Sequence, residues 1–319
     1  MPSNVPRVSV GLPVYNGEKF LAQAIESILG QTYPDLELVL SDNASTDRTQ
    51  QICESFAARD SRVRYHRSPM NIGASRNHNR VVELSRGEIF LWASHDDLFT
   101  PEYVSRCLQV MDGHPEILLC YSLSGDVDEY GHSLDADNPH RVRAVSEDRL
   151  ATSSTRPSNR FREMIRLDHQ CEAMYGLVRA PILKATSMHG HYADADRVLL
   201  AELSLRGPFH VLPDRLFFHR EHPDRSVNLH GSRQERSVWM DPSKAGKLTL
   251  PHVRQFWELM WIVHRASLPV AEAVRCYLHL ARWFVHYRKR IWNDLTTVTR
   301  LGAKRLLFHF HHPEVTGGG

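Results

Sequence analysis

Cysteine is scarce and scattered, with five residues in 319 (Cys53, Cys107, Cys120, Cys171 and Cys276), no close pair and an odd total. That pattern excludes a disulfide framework and a thiolate zinc site and fits a reducing cytosol. No stretch approaches the ~18 uncharged apolar residues of a membrane-spanning helix. Met1 to Ser9 lacks a basic segment followed by an apolar core, so no secretory signal is read there. Internal repeats and low-complexity tracts are absent as well. What remains is an ordinary globular balance, 42% hydrophobic and 24% charged, which excludes a wholly disordered chain. The length suits one large domain or two coupled ones.

Charge is nearly balanced, with a formal net of +2, but it is unevenly placed. Residues 230–319 carry 14 Lys/Arg against 6 Asp/Glu, and residues 1–229 carry 25 against 31. An acidic body with a basic tail suggests chemistry in front and docking on something anionic behind. The acidic body argues against nucleic acid as a partner.

The first 110 residues alternate between strand and helix. Val8–Leu12 is a short apolar run closed by Pro13, and Leu36–Leu40, Val63–Tyr65 and Ile89–Ala93 are similar. Between them Leu21, Ala24, Ile25 and Ile28 repeat on one helix face, and helices are expected over Arg48–Arg59 and Ser75–Leu84. Strands separated by helix-length segments imply parallel pairing through crossovers, with ligands gathering at the strands' carboxyl ends. Three polar clusters fall at such ends: Pro13–Glu18, Asp42–Asp47 and Asp96–Asp97. Further on, Leu118–Leu123 and Leu216–Phe218 read as strands, and Phe161–Arg166 and Asp196–Leu205 as helices. Asp126–Arg160 is polar and loop-rich, residues 223–250 look like a linker or lid, and Pro251–Leu307 is helical.

Asp96 and Asp97 follow an apolar strand and precede Pro101, which opens a helix. Adjacent carboxylates on an extended segment point apart, so they are expected to serve two partners. Carboxylates suit a hard cation that also takes phosphate oxygens, although a solvated turn with a helix cap uses the same residues. Asp42, with Asn43 beside it, could meet a base or ribose edge or simply form an Asx-turn.

The strings VSVGLPVYNG, QTYPDLELVLSDNASTD, NIGASRNHNR and RGEIFLWASHDD, in that order and spacing over residues 7–112, resemble the family 2 glycosyltransferases of the GT-A fold. The resemblance implies an α/β fold, a GT-A-type Rossmann-like sandwich with a mostly parallel central sheet, here followed by a C-terminal helical extension. It implies that Asp42 reads the nucleotide base, that Asp96 lies near the ribose and that Asp97 holds a divalent metal, Mn²⁺ or Mg²⁺. Pro13, Tyr15 and Glu18 would line the nucleotide pocket. Many relatives carry Ala-Arg-Asn in the third string; here His78 stands at that Arg and Asn79 at that Asn, with Arg76 as the nearest alternative cation.

Inverting transfer also needs a general base for the acceptor hydroxyl. Asp194 and Asp196 precede the helix Arg197–Leu205, and a helix cap would use the same residues. The resemblance favours Asp196, eleven positions before Gly207. His222 matches a position where relatives often keep a histidine, sometimes on the metal, and Arg220 would neutralise the departing diphosphate.

The expected activity is transfer of a sugar, with inversion, from a nucleotide-diphosphate donor (UDP favoured) to a saccharide or lipid-linked acceptor. The alternatives are a nucleotidyltransferase, disfavoured because no glycine-rich loop follows the first strand, and a non-catalytic nucleotide scaffold. The expected divisions are 1–112 for the donor-binding half, 113–225 for the acceptor half with the base, 226–250 for a linker or lid, and 251–319 for the helical region. That last region places Trp257, Trp261, Trp283 and Trp292 beside Arg288-Lys289-Arg290 and Lys304-Arg305. It suits contact with the inner face of a membrane, packing on the catalytic domain, or a homodimer. A cytoplasmic location is expected.

Overall fold

A computed structural model describes residues 5–134, 151–166, 171–229 and 232–310. The centre of the polar stretch Asp126–Arg160, the side chains of Lys304 and Arg305, and the tail with His311 and His312 lie outside the described residues. The elements run β1 (Val8–Val14), α1 (Leu21–Leu29), β2 (Leu36–Asp42), α2 (Thr49–Arg59), β3 (Val63–Arg67), α3 (Ala74–Leu84), β4 (Ile89–Trp92), β5 (Leu98–Phe99), α4 (Tyr103–Gly113) and β6 (Leu119–Val127). There follow α5 (Pro157–Met164), β7 (Leu177–Arg179), α6 (Ala180–Lys184), α7 (Ala195–Arg206), β8 (Phe209–Arg220), α8 (Ser226–Leu229), α9 (Arg233–Met240), α10 (Pro251–Arg265) and α11 (Val270–Phe310).

The eight strands form one sheet in the order β3-β2-β1-β4-β7-β6-β8-β5. The first four strands are parallel, as the strand–helix alternation demands, while β7 and β5 run against their neighbours. Successive side chains on a strand point to opposite faces. Thus Ile89 and Leu91 join one core with Val8, Val10 and Leu12, and Phe90 and Trp92 join the other with Val81 and Val82. Both faces are covered, so β1 and β2 are buried along their whole length. Gly11 lets α3 lie close over β1, because a Cβ there would come within 2.6 Å of the Phe90 ring and 2.8 Å of Val81.

Strand β1 pairs with β2 on one side and β4 on the other, so the chain switches direction across the sheet there. Loops leaving the carboxyl ends of adjacent strands at such a switch splay apart and leave a crevice. The expected polar clusters all lie on that edge.

Two elements differ from expectation. The segment 226–250, expected to be a linker or lid loop, contains α9, whose start is fixed by a capping box: Ser232 Oγ accepts the Glu235 N–H and the Glu235 carboxylate accepts the Ser232 N–H. Gly73 (φ +88°) permits its close approach to α3, since a Cβ there would meet the Met240 carbonyl at 2.6 Å. The C-terminal helical region breaks at 266–269 into α10 and the 41-residue α11. Trp283 is buried on the catalytic domain and donates its indole N–H to the Ile165 carbonyl (2.8 Å), whereas Trp257, Trp261 and Trp292 are exposed. No described helix is long and apolar enough to cross a membrane.

Candidate active site

The crevice is floored by two laced loops. Asn16, held at φ +52°, donates its N–H to Ser45 Oγ (2.9 Å) and accepts the Thr46 N–H on its side-chain oxygen (2.9 Å). Gly17 and Glu18 donate backbone N–H groups to Thr49 Oγ1 (2.9 Å) and Asp47 Oδ2 (3.0 Å). Glu18 itself caps the next turn, accepting from the Arg48 N–H (2.9 Å) and Nε (3.2 Å). Of the first-loop residues singled out in the sequence, Pro13 is buried beside Ser41, Glu18 is engaged with Arg48, and Tyr15 is the exposed one at 43%.

Asp42 and Asn43, expected at a base or ribose edge, are turned inward instead. Asp42 has no exposed surface: Oδ1 accepts the Ser45 N–H (2.8 Å), and Oδ2 accepts from the Tyr65 hydroxyl (2.9 Å) and Arg67 Nε (3.2 Å). Burial and then Asp42 push the Tyr65 proton affinity up, which keeps that hydroxyl a donor. Asn43 accepts the Ile72 N–H (2.8 Å) and donates to Asn71 Oδ1 (3.0 Å). Asn77, not singled out in the sequence, does similar work: its amide donates to the Ser41 carbonyl (2.8 Å) and accepts from Ser41 Oγ (2.7 Å). These hydrogen bonds fix the loops that leave β2.

The acidic pair is placed by sheet register. Antiparallel β5 and β8 pair Leu98 with Phe218 and Phe99 with Phe217, so the residues before Leu98 meet those after Phe218. Asp97 therefore faces His219 (Oδ2 to Nδ1, 3.3 Å) and also accepts the Arg220 N–H (3.1 Å). Asp96 points the other way, with Oδ2 3.1 Å from His222 Nε2 and Oδ1 accepting from the Ser94 hydroxyl. The two carboxylates serve two different histidines, Asp97 beside His219 and Asp96 beside His222. Burial opposes ionisation of Asp96, yet His95, His222 and Ser94 together hold its carboxyl well below the usual carboxylate range.

Asp96 Oδ2 and His222 Nε2 suit a divalent cation as two adjacent ligands. Donors about 2.1 Å from an octahedral ion and at right angles to each other stand about 3.0 Å apart, near the observed separation. His222 Nδ1 is buried without a hydrogen-bond partner, and the ring is propped against Phe20 at 4.6 Å. No group of three or more metal-ligating side chains occurs among the described residues, so the remaining positions would fall to substrate oxygens and water.

Arg220, expected on the donor phosphates, is fully buried. Its guanidinium donates to the carbonyls of Asp96 (2.8 Å), Glu129 (2.8 Å) and Asp128 (3.3 Å) and to Gln23 Oε1 (2.8 Å), and it stacks on Phe20 at 4.8 Å. It is the clamp that holds the acidic loop against α1 and the 128–129 turn. Arg220→Leu is expected to strand those acceptors and lower stability by about 3 kcal/mol or more, read from the urea midpoint. An unchanged midpoint would contradict the clamp.

At the other wall, Asp194 occupies the N-cap of α7 in the left-handed region (φ +62°) and contacts Arg233 (2.7 Å) and Arg236 (3.8 Å) from α9. Asp196, in the first turn, accepts its neighbour's N–H from Arg197 (2.8 Å). Tyr175, which no sequence signal marked, connects the two walls. Its ring stacks on Phe217 (4.7 Å) and meets His219 edge-on (5.6 Å), and its hydroxyl proton is held by burial and by the fields of Asp97, Asp96 and Asp196.

The third string is less directly involved. Arg76 lies 3.6 Å from Asp241, and Asn79 clamps His189, donating to its carbonyl (3.0 Å) and accepting its N–H (2.9 Å). His78, in the position where relatives carry arginine, contacts the Ala74 carbonyl through Nδ1 (2.8 Å) and the His189 ring at 5.3 Å. Burial, and then His78, pushes His189 down to about 3, and burial lowers His78 as well, so neither ring supplies an arginine-like charge.

Comparison with known proteins agrees with this architecture. The family model described as Glycosyl transferase family 2 matches residues 9–173, just over half of the chain. Chondroitin synthase of Escherichia coli is 34% identical over 149 residues, 47% of this chain and 21% of that protein. The chain spans less than half the length of the curated relatives it matches. Among solved structures, S. aureus TarS 1–349 in complex with UDP-GlcNAc superposes with a TM-score of 0.63 at 18% identity, covering 91% of this chain and 79% of that one. The mannosyltransferase PcManGT of Pyrobaculum calidifontis, in complex with GDP-Man and Mn²⁺, gives 0.53 at 17%, covering 92% and 85%. At such identities the likeness is one of fold.

Proposed function

The chain belongs to glycosyl transferase family 2, and from that premise we propose that it transfers a sugar from a nucleoside-diphosphate donor to a hydroxyl of a saccharide or lipid-linked acceptor, with inversion. The observation that carries this reading is the acidic pair Asp96 and Asp97, set against His222 (3.1 Å) and His219 (3.3 Å) where the chain leaves β4 at the carboxyl edge of the parallel strands. The donors in TarS and PcManGT support a nucleotide-sugar, and the Mn²⁺ in the latter supports a divalent cation.

Asp96 and His222 would hold that cation, Mn²⁺ or Mg²⁺, which when bound neutralises charge on a leaving diphosphate. Tyr15, exposed at the crevice lip, offers its ring face to the base. Asp196 takes the acceptor proton: Asp194 is already committed to two arginines, whereas Asp196, in the first turn of α7, accepts only its neighbour's N–H among the described residues. Titration with UDP and with GDP, each with and without Mn²⁺, tests the reading. One nucleotide is expected to bind only with the metal; metal-independent binding or none overturns the metal-assisted mechanism.

We further propose that the acceptor is met at an anionic membrane surface. On α11, Val274, Leu278, Val285 and Trp292 share one outward face and are all more than half exposed. Arg275, Arg282, Arg288 and Lys289 flank it, while the acidic residues turn inward, Glu272 to the Ser158 N–H (3.0 Å) and Asp294 to His252 (3.0 Å). Self-association through this face would set like charges together, whereas anionic lipid complements both charge and apolar area. The protein is expected to sediment with phosphatidylglycerol-containing vesicles and not with phosphatidylcholine alone, and Leu278→Glu/Val285→Glu is expected to remain in the supernatant. Failure to bind the anionic vesicles contradicts the proposal.

A further inference from the structure

Beside the proposed base lies a cluster of positive charge that the donor reaction does not use. Arg233 and Arg236, three apart and so on one face of α9, approach the loop that opens α7. Their common partner is Asp194, at 2.7 Å from Arg233 Nη1 and 3.8 Å from Arg236 Nη1. These are contacts of charge without hydrogen-bond alignment: Arg233 Nη1, Arg236 Nε and Asp194 Oδ2 are all buried and lack a hydrogen-bond partner. Arg290 of α11 adds its positive field to Arg233. Two guanidinium groups therefore face one carboxylate, and the cluster of three side chains carries a net positive charge.

Buried guanidinium donors that are ion-paired without an aligned hydrogen bond lose part of that bond's free energy, and a bidentate oxyanion is the ligand their fork geometry satisfies best. Burial and the neighbouring cations make Arg233 easier to deprotonate, the field that a bound anion would relieve. The position of the cluster gives it meaning. Asp194 is two residues from Asp196, so whatever Arg233 and Arg236 bind lies next to the hydroxyl that Asp196 would deprotonate. The helix is also held in place: its start is capped by Ser232, and its end packs on α3, where Ser75 Oγ lies 3.6 Å from Met240 Sδ.

We infer that Arg233 and Arg236 form an acceptor subsite for an oxyanion, a phosphate or a carboxylate carried on the acceptor close to its reacting hydroxyl. The inference rests on the reading of Asp196 as the base and adds the acceptor's chemical class to it.

The test is calorimetric titration of inorganic phosphate and of glucuronate, at constant ionic strength, into protein saturated with Mn²⁺ and whichever of UDP or GDP it binds. Filling the donor site first removes its own affinity for phosphate. One anion is expected to bind, and Arg233→Gln/Arg236→Gln is expected to weaken it at least about tenfold, as loss of charge-assisted bidentate contacts should. Preference for phosphate identifies a phosphorylated acceptor, and preference for glucuronate a uronic acid. Equal anion affinity in the wild type and the double variant, or binding of neither anion to the wild type, overturns the subsite. Nucleotide affinity measured on the same samples shows separately whether the donor reading stands and whether the variant is folded. Arg236→Gln alone, at a partly exposed position, repeats the comparison if the double variant loses nucleotide binding.

Discussion

Asp196→Asn is expected to lower the rate of sugar transfer by about 10²–10⁴-fold, the range that a positioned general base contributes. The substitution keeps the size of the side chain and its ability to accept the Arg197 N–H (2.8 Å), so α7 should remain intact. Nucleotide affinity should be unchanged, because Asp96 and His222 lie on the opposite wall. Asp194→Asn is the informative control. It removes the charge facing Arg233 and Arg236 but not the proton acceptor, so its effect should fall on acceptor KM more than on kcat. Wild-type turnover in Asp196→Asn would end its candidacy as the base. If Asp194→Asn alone abolished kcat, the role would pass to Asp194.

The second large effect separates two neighbouring carboxylates. Asp96→Asn should reduce metal-dependent nucleotide affinity by about 10–100-fold, since it removes the anionic donor paired with His222 Nε2 at 3.1 Å. Asp97→Asn should leave most of that metal dependence intact and instead cost roughly 1–3 kcal/mol of stability, because it disturbs the acceptor of the Arg220 N–H and the partner of His219. Calorimetric titration of the nucleotide with and without Mn²⁺, together with urea unfolding of both variants, checks the pair. The opposite result, with metal dependence lost in Asp97→Asn and kept in Asp96→Asn, would restore the assignment expected from the motif.

The difference between these two residues shows where sequence reading reaches its limit. A motif supplies an adjacent acidic pair at a strand end but does not say which partner each member meets. That depends on β8, more than a hundred residues later, whose register with β5 puts His219 opposite Asp97. Arg220 and Asp42 depend on distant partners in the same way. An arginine and an aspartate at a ligand edge suggest ligand contact, yet Arg220 is spent on backbone carbonyls and a glutamine, and Asp42 on Tyr65, Arg67 and Ser45. Tyr175 and Arg233 carried no local signal, because their importance arises from what the fold brings beside them.

The sequence by itself determined the alternation of strands and helices, the parallel half of the sheet, and the edge on which the polar clusters gather. Those are consequences of hydrophobic period and turn chemistry, which act over a few residues. Tertiary structure alone decided the short strands β5 and β7, the placement of α9, the face of α11 left outward, and the partner of every buried charge. These depend on contacts between segments distant in the chain, and a buried ion or hydrogen-bond donor is fixed by the groups that surround it in space.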